Sequence, residues 1–168
     1  GYDHGFIGGG EGEHLGSSIA AGDMNGDGRM DLLLGATGME CPDGKVAGGI
    51  DWLLQPEGGF AHSVDLASLP DYQIRRWGCD AYSMCGWDVF AGDADQDGYC
   101  DVLTGAYKSD AVQVDEGRAF LLYGADGMEA SAGLADDFMV PVFSGSEWRE
   151  QMGFCVLLKD IQGDGYPD

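Results

Sequence analysis

The sequence predicts an all-β repeat protein, and three observations support this fold class. Three segments of the 168-residue chain superpose without gaps, beginning at Leu15, Cys85 and Met152. The apolar stretches are short, rich in β-branched and aromatic residues, and separated by Gly and Asp turns, which favours strands over helices. Glycine accounts for 30 of 168 residues without a collagen period, which indicates a chain with many turns.

The repeat extends beyond one short motif. The superposed segments read LGSSIAAGDMNGDGRMD, CGWDVFAGDADQDGYCD and MGFCVLLKDIQGDGYPD, and they are separated by 70 and then 67 residues. A further glycine lies eight residues before Gly16, Gly86 and Gly153, and DLLLGAT after the first segment matches DVLTGAY after the second. Since several anchors agree in each repeat, we interpret the period as a structural unit.

Each unit is predicted to contain four strands. In the first repeat we expect strands near 17–22, 31–36, 46–54 and 72–77, and in the second near 87–92, 101–106, 117–123 and 138–143. Four strands in about 65–70 residues is the content of one β-propeller blade, and the blades are expected to be antiparallel. We also expect a strand near 2–7, a weak one near 60–66, and single turns at LASLPDY and between Met128 and Asp137.

The division of the chain follows from these strands. We assign 1–14 to the last strand of a preceding blade and its connection, 15–78 and 79–145 to two blades, and 146–168 to the start of another. This amounts to about two and a half blades, whereas a propeller needs about 4–8 to close. Two interpretations stay open: a segment of a longer polypeptide, or copies that assemble into a ring or a filament through exposed strand edges.

Charge and hydropathy exclude two classes of partner. Lys and Arg number 8 against 30 Asp and Glu, which gives a formal charge of −22. Phosphate binding needs a basic surface, so we expect no nucleic acid partner. No run of 18 apolar residues exists, so we expect no membrane insertion. A polyanion attracts cations, and the carboxylates are concentrated in three loops.

The three loops are DMNGDGRMD, DADQDGYCD and DIQGDGYPD. Oxygen-bearing side chains recur at positions 1, 3, 5 and 9, and a glycine at position 6 permits the turn that directs the next carbonyl inward. Hard oxygen ligands in this pattern predict three Ca²⁺ sites. The predicted ligands are Asp23, Asn25, Asp27, Asp31 and the carbonyl of Arg29; Asp93, Asp95, Asp97, Asp101 and the carbonyl of Tyr99; and Asp160, Gln162, Asp164, Asp168 and the carbonyl of Tyr166.

Other structures that use such loops fit less well. Acidic turns on a solvated surface would leave several carboxylates grouped without a cation, which is strongly repulsive. An EF-hand needs a glutamate at position 12, where this chain has Leu34 and Thr104, and both EF-hands and dockerins continue into a helix rather than a strand.

The five cysteines contain no CxxC pair, so a thiolate zinc site is not expected. Cys79 and Cys85 lie six residues apart in one predicted loop, and they are the preferred disulfide. The alternative is that Cys85 is a buried apolar residue, because Leu15 and Met152 occupy its position in the other repeats.

The succession of Leu-Gly, Cys-Gly or Met-Gly, the acidic loop, and Gly-Ala resembles FG-GAP repeats, which form the blades of the integrin α-subunit β-propeller and of many bacterial surface proteins. The chain departs from the family pattern where Phe would precede Gly and where Thr37 or Tyr107 replaces Pro. The resemblance implies that each ion lies between the innermost and second strands of a blade. It also implies a structural role for calcium, since metal binding to the folded form adds to stability.

The resemblance further implies a secreted or cell-surface module for adhesion or for surface or filament assembly, and no enzymatic activity. Its partners would be a protein or glycan ligand, or copies of itself. The face away from calcium would carry six candidate partner-binding residues: Trp77, Tyr82, Trp87, Tyr107, Trp148 and Arg149. The alternative for these side chains is that they pack between the sheets. The alternative is the propeller part of a secreted carbohydrate- or lipid-acting enzyme, because propellers also host hydrolases and lyases.

Overall fold

A computed structural model describes residues 5–40, 44–69, 74–78, 82–110, 113–124 and 140–163, with the backbone alone described at 74–78 and 140–142. Ten strands and one 3-10 helical turn lie in these ranges. The described residues contain no helix long and apolar enough to cross a membrane. The all-β prediction is therefore confirmed.

The first repeat forms a four-stranded antiparallel sheet in the order β2-β3-β4-β6. Its strands are β2 (Leu15–Gly22), β3 (Asp31–Ala36), β4 (Gly49–Leu53) and β6 (Ile74–Gly78). Residues Gly22 and Asp31 are paired, so the intervening acidic loop closes the β2–β3 hairpin.

The second repeat forms an equivalent sheet in the order β7-β8-β9-β10. Its strands are β7 (Asp88–Gly92), β8 (Asp101–Ala106), β9 (Arg118–Leu122) and β10 (Val140–Ser144). Gly92 pairs with Asp101, which is the same register as in the first sheet. Both sheets therefore have the four antiparallel strands predicted for a blade.

Two short strands complete the description. Strand β1 (Gly5–Ile7) pairs in parallel with β5 (Ser63–Asp65), and a 3-10 helix at Leu66–Ser68 follows β5. The strands expected near 2–7 and 60–66 and the turn in LASLPDY thus have counterparts. The turn expected between Met128 and Asp137 lies outside the described residues. The blade boundaries, including the assignment of β1 to a preceding blade, stay a prediction.

The core lies between the sheets, because alternate residues of one strand face different neighbours. In β3, Leu33 belongs to the cluster that joins the two blades, whereas Leu32 and Leu34 pack with residues near β5. The buried members of the inter-blade cluster are Met24, Leu33, Ile50, Trp52, Val89, Val102 and Leu122. In β8, Leu103 packs in the opposite direction, against Val156 and Leu158.

Glycine pairs set how closely the blades approach. A Cβ at Gly35 would clash with the carbonyl oxygen of Gly86, and a Cβ at Gly105 would clash with that of Gly153. Gly35 and Gly105 occupy one repeat position, and Gly86 and Gly153 occupy another. The Gly-Ala of each blade thus meets the Cys-Gly or Met-Gly pair of the following unit. This close approach explains why the sequence has glycine at both positions.

We expect Gly105→Ala to destabilise the fold by about 1–3 kcal/mol, because the added methyl group must displace backbone rather than a movable side chain. Denaturant unfolding measures the change. The matched control is Gly5→Ala, since no atom lies within 4 Å of a Cβ built at Gly5. Equal stability of both variants would contradict the close approach.

Candidate metal centre

The second acidic loop brings three carboxylates together between the end of β7 and the start of β8. The ligand atoms of Asp93, Asp95 and Asp101 all lie within 4.8 Å of one another, and this is the one such acidic group found in the described part of the chain. Asp93 Oδ1 is buried and has no hydrogen-bond partner among the described residues. Its other oxygen, Oδ2, accepts a 3.1 Å hydrogen bond from Gly98 N. An oxygen withdrawn from water without a donor fits a cation ligand.

Asp101 anchors this loop to the sheet. The residue is fully buried; its Oδ2 accepts from Ala94 N at 2.6 Å and its Oδ1 accepts from Gly124 N at 2.8 Å. Asp31 is equally buried in the first blade and accepts from Met24 N at 3.2 Å and Gln55 N at 2.9 Å. These amides hold corresponding repeat positions, so the two loops share one anchoring scheme.

Burial raises the pKa of the Asp31 and Asp101 carboxyl groups above the ordinary value, and their backbone amide donors act in the opposite direction. A divalent ion bound beside these groups would favour their charged forms. The position is therefore suited to a carboxylate that serves both as an anchor and as a ligand.

In the first loop, side-chain oxygens accept hydrogen bonds from backbone amides of the same loop. Asp23 accepts from Asp27 N at 3.1 Å and from Gly28 N at 2.8 Å, and Asn25 Oδ1 accepts from Asp27 N at 3.2 Å. The guanidinium of Arg29 forms an ion pair with Asp27. The amide of Asn25 replaces one carboxylate of the second loop, so this site carries one formal negative charge fewer.

The third loop is described only in part. Asp160 Oδ1 accepts from Gly163 N, at position 4, at 2.5 Å, whereas the first aspartates of the other two loops accept from the glycine amide at position 6. Asp164, Tyr166 and Asp168 lie outside the described residues, so this ligand set stays a prediction.

A backbone feature that we did not infer from the sequence recurs at position 4 of the loops. Gly26, Gln96 and Gly163 occupy this position with φ values of 73°, 63° and 79°, in the left-handed region. The sequence signal for this conformation is a glycine at position 4, which the first and third loops have. The second loop has Gln96 there and lacks the signal. The glycine at position 6 forms the expected turn with a positive φ, of 80° at Gly28 and 94° at Gly98.

The residues present fit Ca²⁺. The loops offer carboxylate and amide oxygens on a tightly turned backbone, with no sulfur or imidazole among the predicted ligands, and Asp93 Oδ1 is an acceptor without a donor. Assignment of every ligand, including the carbonyls of Arg29 and Tyr99, stays a prediction.

Three aromatic rings meet at the opposite ends of the blades. The Trp87 ring lies 4.8 Å from that of Tyr107 and 5.4 Å from that of Phe154, between ring centroids, and Tyr107 lies 5.2 Å from Phe154. Tyr107 is only 9% exposed. Two of the predicted partner-binding residues therefore pack between blades, together with Phe154, which our sequence analysis did not single out.

Other residues of this predicted set face solvent. Tyr82 and Trp148 are 67% and 61% exposed. The Arg149 guanidinium lies 4.4 Å from the Trp148 ring centroid, and Arg149 Nε lies 4.0 Å from Asp115 Oδ2. Trp77 pairs with Ile50 through its backbone in β6, but its side chain lies outside the described part.

The cysteines are partly resolved. Cys85 is buried in a cluster with Ala106 and Phe120, and it is disulfide-bonded. Cys79, the predicted partner, lies outside the described residues, so this pairing stays a prediction. Cys100 and Cys155 are free thiols.

Comparisons with known proteins agree with the repeat. A family model described as "FG-GAP repeat" matches residues 15–48. Integrin alpha-IIb of Mus musculus is 33% identical over 163 residues, and that of Homo sapiens is 33% identical over 162. A phosphatidylinositol-glycan-specific phospholipase D of Dictyostelium discoideum is 21% identical over 165 residues. Each match covers 92% of this chain, but the chain spans only 14% of the two integrins and 17% of the phospholipase.

We expect Asp101→Asn to destabilise the protein by about 1–3 kcal/mol even with a calcium chelator present, because one of the two buried amides loses its acceptor. Asp97→Asn should change stability by less than about 0.5 kcal/mol under that condition, since Asp97 is exposed and an asparagine oxygen can still accept from Tyr99 N. Urea unfolding separates the two. Equal losses would contradict the anchoring role of Asp101.

Proposed function

Because the chain belongs to the FG-GAP repeat family, we propose that it is part of a calcium-stabilised β-propeller that serves adhesion or surface assembly outside the cell. We propose no catalytic role for this part. The integrin relatives support this proposal at 33% identity.

The calcium assignment depends chiefly on one observation. Asp93, Asp95 and Asp101 converge around a buried oxygen, Asp93 Oδ1, that lacks a hydrogen-bond donor. Clustered carboxylates repel one another at short range, and a divalent cation removes this cost while satisfying the free oxygen. The first loop has the same anchor and the same turn, and the third shares the left-handed backbone at position 4, so we propose three Ca²⁺ ions.

The ion's proposed role is structural. Each of the first two loops connects the first and second strands of its blade, and its ninth residue also accepts a hydrogen bond from an amide that follows the third strand. An ion held there would fix these strand ends relative to one another. Extracellular calcium is millimolar, and modules of this type bind in the range of about 10⁻⁴–10⁻³ M, so the sites would be filled outside the cell.

The proposed partner surface lies away from the metal loops. Trp148 and Arg149 stack on each other in the turn before the third repeat segment, and exposed Tyr82 precedes the second segment. Tyr82 and Arg149 hold the same repeat position and both have positive φ, of 65° and 59°. Aromatic and arginine side chains are common anchors in protein interfaces and suit a protein or glycan ligand. Trp87 and Tyr107, which pack between the blades, would support the exposed side chains of this surface.

Assembly of copies through strand edges, into a surface layer or a filament, is a variant of this function. Electron microscopy of the purified chain separates the two forms, since ordered filaments support self-assembly and isolated particles count against it.

An enzymatic context is the second candidate, favoured by the similarity to a phospholipase D. In that case the propeller would be a catalytic or noncatalytic part of a secreted carbohydrate- or lipid-acting enzyme. The sequence contains no GxSxG or HExxH motif. Hydrolysis of a glycolipid by the purified chain, abolished by one carboxylate change outside the loops, would establish the enzymatic alternative.

We expect 5 mM Ca²⁺ to stabilise the chain, relative to chelator, by about 1–3 kcal/mol for each filled site. Tm should rise by about 2–4 °C for each kcal/mol. Calorimetry should give one fewer bound ion for Asp93→Asn, whereas Glu57→Gln, an exposed charge-matched control, should bind as the parent does. Identical melting with Ca²⁺ and chelator would overturn the calcium proposal.

We expect Trp148→Ala to weaken binding of a surface partner by at least about tenfold, because a central aromatic anchor contributes about 2 kcal/mol or more. Affinity is measured on the partner recovered by binding to the parent protein. The control is Tyr123→Ala, which removes an aromatic side chain that is 46% exposed and lies directly after β9. Unchanged affinity of the Trp148 variant would rule out this surface.

A further inference from the structure

The first two acidic loops touch across the blade interface. Cys100 N donates a 2.9 Å hydrogen bond to the carbonyl oxygen of Asp23. Asp23 is the first residue of one loop, and Cys100 lies between Tyr99 and Asp101 of the next. One peptide group of the second proposed site is therefore bonded directly to the backbone of the first.

Side chains tighten the same contact. A Cβ at Gly26 would clash with the Tyr99 ring, so the ring lies directly against the backbone of the first loop. A Cβ at Gly22 would clash with the Cys100 thiol and lie 3.3 Å from the Ala91 side chain. Neither approach leaves room for the loops to move separately, because closely packed groups transmit displacement.

We propose that the first two calcium sites bind their ions with positive coupling, and that Tyr99 is the positioning residue that carries it. An ion in the second loop would fix the Tyr99–Asp101 segment, and this segment would hold Asp23 and Gly26 in place for the first ion. The second binding event then orders less chain and is more favourable. This inference rests on the proposed calcium function.

The sequence confines this coupling to the first pair of loops. The position of Gly26 is occupied in the second loop by Gln96, so this loop carries a side chain where the first loop has only backbone. The position of Cys100 is occupied in the third loop by Pro167, which has no amide hydrogen to donate. A proline at this position cannot repeat the hydrogen bond that Cys100 N donates to Asp23.

The experiment is calcium titration by calorimetry on the whole chain, with the third loop neutralised by Asp160→Asn and Asp164→Asn in every variant. Adding Asp95→Asn and Asp97→Asn inactivates the second site, and Asp23→Asn and Asp27→Asn inactivate the first. Loss of either site should weaken the other by about fivefold or more, and by the same factor in both directions, because coupling is reciprocal.

Tyr99→Ala, made with both sites intact or with either one inactivated, tests the carrier. Both ions should still bind, since a backbone carbonyl is retained, but the coupling factor should fall to less than about twofold. Tyr99→Phe should keep the factor of the parent, because the contact is made by ring carbons. Tyr123→Ala is the matched control and should also keep it. If Tyr99→Ala fails to fold by circular dichroism, Tyr99→Leu provides the same measurement.

The outcomes separate the two proposals. Absence of calcium binding at every loop overturns the proposed function. Binding of two ions whose affinities change by less than about twofold when the other site is lost overturns the coupling and leaves the function intact. An unchanged factor in the folded Tyr99 variant overturns the role of this residue.

Discussion

The buried aspartate that begins the second strand of each blade is the constraint on which the rest of the structure depends. Withdrawing a carboxylate from water is costly unless hydrogen bonds replace the lost solvation. Asp31 and Asp101 meet this requirement with amides from the start of the acidic loop and from the segment after the third strand. One side chain thus joins three parts of the blade, and its charge lies beside the loop, where the proposed cation would offset it.

Packing between blades follows from the strand period. Because alternate residues face opposite sides, Leu33 packs toward the second blade while Leu34 packs toward β5. Because glycine has no side chain, the sheets can approach closely enough at the glycine pairs for these apolar side chains to form one core. The acidic loops lie at the end of this interface, so the polar contact between Cys100 and Asp23 continues the apolar one.

The sequence was sufficient where the determinants are local. Gly and Asp punctuation located the strands of both sheets, and the spacing of oxygen side chains located the loops. It was insufficient where contacts are distant in the chain. The residues alone left open whether Tyr107 anchors a partner or packs between sheets, whereas in the structure Trp87 of the same unit and Phe154 of the next pack against its ring. The left-handed turn at Gln96 was also missed, because its glycine signal appears only in the other loops.

The glycine pairs also bear on how such a chain can lengthen or shorten over evolution. Gly35 against Gly86 and Gly105 against Gly153 create the same junction twice, so a unit that carries both glycines can join any other such unit. Duplication or loss of one whole unit would preserve the angle between neighbours. Added residues would disturb this junction least in segments remote from it, such as the stretch between β4 and β5.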